Sequence, residues 1–240
     1  MPELCIHPLP EAIPPAALAG GVVVVIDLLR ATTTIVHALA NGARAVVPTA
    51  SVEEARDVSL RWPVSERLLG GERHGVTIEG FDLDNSPFSY AANRVRDKTI
   101  IFTTTNGTRA MRWAHQAAEI RVGAFANLSA LCHSLRGETR SVHLLCAGTD
   151  FRISAEDLLV AGAIAHQVSD GFDQSAETRI FRDYWVARGI DDASRLSILR
   201  ESAGGRNLIE LGFDHDIERA SLVDLYSMVP RLNGVTGELR

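Results

Sequence analysis

Apolar residues run in short unbroken stretches that alternate with amphipathic ones. GVVVVID (21–27) is β-branched and uninterrupted until Asp27, the pattern of a strand buried on both faces. It leads into LRATTTIVHALANG, where Ile35, Val36 and Leu39 keep helical spacing and Gly42 offers a C-terminal stop. ARAVVPTA (43–50) predicts a second strand. SVEEARDVSLRW (51–62) predicts a helix, with Ser51 as N-cap and Glu54 completing a capping box.

The alternation continues. RLLGG (67–71), KTIIFTT (98–104), AEIRVGAFAN (118–127) and SVHLLCAG (141–148) predict strands. NGTRAMRWAHQA (106–117), LSALCHSLRG (128–137) and SAEDLLVAGAIAHQVSD (154–170) predict helices. In the last, Ser154 is the expected N-cap and Asp157, three residues on, the acidic partner of a capping box. From about 175 the chain reads as helices. Residues 70–90 are dense in Gly, Asp, Asn and Pro and hold no period, so they read as one long irregular loop. Strands alternating with helices predict an α/β fold, its sheet mostly parallel or mixed and covered on both faces. One domain spanning 1–240, or two closely packed lobes, accounts for the length.

Charge narrows the function. The net charge of −6 argues against general nucleic-acid binding, and the apolar runs are too short to span a membrane. Cys5, Cys132 and Cys146 show no pairing pattern, which points to a reducing cytoplasm. Lys98 is the sole lysine, so anion recognition falls to arginine, backbone N–H groups and metal.

Polar residues gather where a strand turns into a helix: DLLRATTT (27–34), TTTNGTR (103–109) and CAGTDFR (146–152). Ligands bind at such carboxyl ends, and helix N-termini there favour anions. Each turn carries an arginine, Arg30, Arg109 or Arg152, whose fork suits phosphate or sulfonate oxygens. The candidate binding groups are Thr32, Thr33, Thr105, Asn106, Gly107, Arg109, Cys146, Gly148 and Thr149, joined by Asn85 and Ser86 of the long loop. That loop also carries Glu72, Glu79, Asp82 and Asp84. Carboxylates facing a phosphate need a cation between them, and Mg²⁺ takes such oxygen ligands. Asp27, an acid ending a buried strand, is a candidate to join them.

Cys146 and Arg152 stand in the C-x₅-R spacing of thiolate phosphatases. Asp150 inside the same turn opposes both a thiolate and a phosphate, and Ile153 stands where those enzymes carry Ser or Thr. A metal route uses Asp150 instead. His74 and His215 are the histidines nearest acids.

VVIDLLRATTTIVHALANGA, GERHGVTIEGFDLDNSP, TTTNGTRA and CAGTDFRISAED together resemble the 2-phosphosulfolactate phosphatase (ComB) family of coenzyme M biosynthesis, from about residue 20 to about 165. The resemblance implies a three-layer α/β/α fold, a homodimer, and Mg²⁺-dependent hydrolysis of 2-phospho-3-sulfolactate. From the residues themselves, Asp27, Arg30, Asp150 and Arg152 are the expected catalytic residues. Asp27, Glu72, Glu79 and Asp82 are the expected metal ligands, with Asp27 the leading candidate for direct attack on phosphorus. The family more often has glycine where this chain has Asp84 and Phe151. Another small phosphorylated carboxylic acid as substrate, or a non-catalytic anion-binding role, are the alternatives.

Overall fold

The computed structural model describes residues 1–240. Its strands are β1 (Glu3–His7), β2 (Val22–Ile26), β3 (Ala45–Pro48), β4 (Arg67–Arg73), β5 (Val76–Thr77), β6 (Thr99–Thr103), β7 (Glu119–Gly123), β8 (Val142–Cys146), β9 (Asp173–Gln174) and β10 (Arg231–Leu232). The helices between β2 and β6 are α1 (Ala31–Ala40), α2 (Val52–Ser59) and α3 (Ala92–Val95). Those after β6 are α4 (Gly107–Trp113), α5 (Leu128–Leu135), α6 (Ala155–Gln167), α7 (Ala176–Arg188), α8 (Asp192–Glu201), α9 (Ala203–Glu210) and α10 (Asp214–Ser221).

β2 lies between β7 and β8, parallel to both, in the sheet β10-β7-β2-β8-β1-β9. All five of its residues are buried, because its two faces look into different cores. Val22, Val24 and Ile26 pack with α5 and α6, whereas Val23 and Val25 pack with α1 and α4. This places helices over both faces, the three-layer α/β/α arrangement, with β10 as an antiparallel edge. A second sheet, β3-β6-β4-β5, is parallel except for β5. Leu239 bridges both Val46 of β3 and Leu232 of β10, joining the two sheets at one edge.

Some local expectations change. The segment Glu3–His7 offers only Leu4 and Ile6 in alternation, yet it forms β1 beside β8. Within 70–90, β4 runs on to Arg73 and turns back into β5, so the loop is shorter than its composition indicates. Ser51 does cap α2, accepting the Glu54 N–H at 3.0 Å, while Glu54 reaches the Ala50 N–H at 2.7 Å. Ser154 makes no such cap: its hydroxyl pairs with Thr149 at 2.8 Å, and Asp157 turns toward other backbone.

Candidate active site

The carboxyl ends of β2, β4, β6 and β8 converge on a cavity of about 260 Å³, closed on the far side by α9. Asp27, Arg30, Glu72, Asn85, Thr105, Asn106, Thr149 and Asp150 line it from the strand ends and loops. Ala203, Gly204, Asn207 and Leu208 line it from α9.

Asp27 follows the last residue of β2 and is 7% exposed. Its backbone is locked by Thr32, whose hydroxyl donates to the Asp27 carbonyl at 2.9 Å and accepts the Asp27 N–H at 3.1 Å. One carboxylate oxygen accepts the Ala31 N–H at 3.4 Å, at the start of α1. The other lies against α4, where a Cβ on Gly107 would come within 2.7 Å of it. Burial raises the Asp27 pKa to about 7, and the charge of Glu72 adds to the rise. Glu72 is itself held by the N–H groups of Gly75 at 2.6 Å and Thr105 at 2.8 Å. Two acids thus face one cavity without neutralising each other.

Arg30 supplies the opposite charge. It is 3% exposed, donates to Asp216 at 2.7 Å and to the Gly75 carbonyl at 3.1 Å, and lies 4.4 Å from the centre of the Phe213 ring. A buried guanidinium needs such partners.

The other expected residues divide. Thr105, Asn106, Thr149 and Asp150 reach the cavity. Asn85 does too, and its carboxamide oxygen is buried without a protein partner. Thr33 and Ser86 support the walls: Thr33 donates to the Leu28 carbonyl at 2.8 Å, and Ser86 donates to Asp216 at 2.6 Å. Arg109 turns away, paired with Glu11 at 2.5 Å, bonded to the Ala147 carbonyl at 3.0 Å and stacked on Phe151. Arg152 is exposed outside the cavity lining. The Gly148 N–H is already taken by Asp157 at 3.0 Å.

Glu79 and Asp82 lie apart from Asp27 and Glu72. Both are exposed; Asp82 accepts the Leu69 N–H at 2.8 Å, which fixes it at the outer edge of β4. Cys146 has no exposed surface, and burial, with Asp157 and Glu156 nearby, pushes its thiol well above the usual range. A thiol sealed in the core cannot meet a phosphate.

Three acids that sequence reasoning passed over matter here. Asp157 was expected only as a cap, yet its second oxygen also holds the Leu28 N–H at 2.8 Å. Glu156 is 1% exposed behind α9, with one oxygen unpartnered. Asp216, between Asp214 and His215 on one side and Ile217 on the other, is fully buried. Its only sequence signal is an acid on the apolar side of an amphipathic helix.

No three His, Cys, Asp or Glu side chains form a metal-holding group. Two carboxylates, Asp27 and Glu72, nevertheless fit the needs of Mg²⁺, which keeps several waters and draws further oxygens from a bound phosphate. Their mutual repulsion in a buried site is what a cation relieves.

Residues 7–234 match the sequence model of the family described as 2-phosphosulpholactate phosphatase. The chain belongs to this family. A "Probable 2-phosphosulfolactate phosphatase" of Caldanaerobacter subterraneus subsp. tengcongensis is 40% identical over 214 residues, covering 89% of this chain and 88% of the relative. Proteins given the same description from Symbiobacterium thermophilum and Pseudothermotoga lettingae are 42% and 43% identical. They cover 91% and 87% of this chain, and the matches span 94% and 88% of those proteins. Within this 2-phosphosulfolactate phosphatase family member, Phe151 has φ 61°, and Asp150 before it φ 49°. Glycine adopts that left-handed region freely, whereas Asp150 and Phe151 hold it with side chains, at the turn beside the cavity.

Proposed function

We propose that this chain hydrolyses 2-phospho-3-sulfolactate to 3-sulfolactate and phosphate, with Mg²⁺ as cofactor. Family membership and the names of the relatives support the substrate. The observation that carries the chemistry is the buried Asp27–Glu72 pair facing Arg30 across one small cavity. Asp27 and Glu72 would hold Mg²⁺, which when bound neutralises phosphoryl oxygens as charge shifts onto the leaving group.

The remaining work falls to the chain. Arg30 binds an anionic group of the substrate, its own position set by Asp216 and Phe213. Thr105 and Asn106, just before α4, line the same cavity and orient the ester. In hydrolysis water adds to phosphorus, the bond from phosphorus to the C2 oxygen breaks, and that oxygen takes up a proton. A carboxylate of the cavity that does not hold the ion, Asp150, is suited to receive the proton that water loses. Its α9 wall limits the cavity to small substrates. The three free cysteines support placing the protein in a reducing compartment, the cytoplasm.

The test is phosphate release from 2-phosphosulfolactate and from a panel of small phosphate esters, with Mg²⁺ or with a chelator. Multiple turnovers on 2-phosphosulfolactate, abolished by chelation, are expected. Preference for another phosphorylated carboxylic acid would redirect the substrate, and absence of turnover on every ester would leave an anion-binding role. Asp27→Asn should lower kcat by roughly a thousandfold. Retention of most Mg²⁺-dependent turnover would remove Asp27 from any essential role.

A further inference from the structure

We infer that Asp216, on α10, is a positioning residue: it holds Arg30 in its anion-binding pose and off the acids of the cavity. The inference rests on the functional reading above only in taking Arg30 as the group that meets the substrate. Asp216 has no exposed surface and is not itself among the residues that line the cavity. One of its oxygens accepts from Arg30 Nη1 at 2.7 Å, and the other accepts from Ser86 Oγ at 2.6 Å. The imidazole of His215 stands 3.5 Å from that second oxygen. Asp216 is therefore anchored from one side by Ser86, the neighbour of cavity-lining Asn85, and anchors Arg30 on the other.

The alternative partners of Arg30 show why this matters. Arg30 lines the same cavity as Asp27 and Glu72, and its charge already acts on Asp27. A buried guanidinium deprived of its counter-ion seeks another carboxylate, because an unpaired charge in the interior is costly. The carboxylates that share its cavity are Asp27, Glu72 and Asp150. Without Asp216, Arg30 would turn toward them and close the space that an anionic substrate occupies. Phe213 covers the face of the guanidinium but offers it no charge.

Charge neutralisation and positioning predict opposite signs. If Asp216 merely offset the charge of Arg30, its removal would make the cavity more positive and tighten anion binding. Positioning requires weaker binding instead. The probe is inorganic phosphate, titrated calorimetrically against full-length wild type, Asp216→Asn, Arg30→Gln and the double variant, each quantified per folded chain. This readout does not depend on which ester the enzyme hydrolyses, so it separates failure of the inference from failure of the substrate assignment. Asp216→Asn is expected to weaken phosphate binding about tenfold, a coupling of about 1.4 kcal/mol. The double variant is expected to be no weaker than Arg30→Gln, since the two act as one unit. Tighter binding in Asp216→Asn, affinity within twofold of wild type, or additive losses in the double variant would overturn the inference. Should Asp216→Asn not fold, Ser86→Ala decides, because it frees one side of Asp216 and keeps the charge. A two- to fivefold weakening, absent in the Arg30→Gln background, supports positioning; unchanged affinity overturns it.

Discussion

Gly148 donates its N–H to Asp157 at 3.0 Å, so an amide that the strand-to-helix turn would otherwise offer to an anion is already engaged. The same carboxylate holds the Leu28 N–H at 2.8 Å. Asp157 thereby ties the turn after β2 to the turn after β8 and keeps Asp27 and Thr149 on one cavity.

Replacing this tie has a definite cost. Asp157→Ala leaves two buried N–H groups without an acceptor, each worth about 1–3 kcal/mol. A loss of about 3 kcal/mol in urea unfolding is expected, with Asp157→Asn less damaging because its amide oxygen still accepts one of the two. A loss under about 0.5 kcal/mol for the alanine variant would contradict the account.

The Asp27 pKa sets a pH dependence. Burial and Glu72 raise it from 3.8 to about 7, and the neighbouring Glu156 and Asp157 are also raised, chiefly by burial. Between those two values the folded chain keeps a proton that the unfolded chain has released. Without a cation, stability therefore falls as pH rises from about 4 to about 7. A cation bound at Asp27 and Glu72 favours the ionised form. Millimolar Mg²⁺ should raise Tm by about 2–4 °C near pH 8 and by much less near pH 5, and Asp27→Asn should flatten the difference. Equal Mg²⁺ effects at both pH values would place the ion elsewhere.

Gly107 is a packing requirement of the site. A Cβ there would meet Ala31 at 2.6 Å and the Asp27 carboxylate at 2.7 Å. Gly107→Ala should lower kcat/KM at least tenfold and destabilise by about 1–3 kcal/mol through overpacking. Activity within threefold of wild type would show that Asp27 has room to move.

Cys146 has none of the access a nucleophile needs. Alkylating reagent should label it only after unfolding. Cys146→Ala should keep turnover within about threefold and lose about 1 kcal/mol of stability, as for a small buried apolar side chain. Loss of turnover in a folded Cys146→Ala protein would revive the thiolate.

The chain by itself determined its architecture and the places where chemistry gathers. An uninterrupted β-branched run such as Val22–Ile26 reads as a strand covered on both sides, and Asp27 after β2, Glu72 near the end of β4 and Asn106 between β6 and α4 all fall at the carboxyl-end side of strands. Such signals are local, carried by side-chain period and by turn residues. Which of the charged groups meet was decided by tertiary structure alone. Arg109 was drawn to Glu11, 98 positions away, and Arg30 to Asp216, 186 positions away. Asp82 was spent on the backbone of β4, and Asp157 on two amides. The physical reason is that a buried charge or N–H takes the partner that packing brings within reach. That partner comes from elements distant in sequence, which no spacing along the chain records.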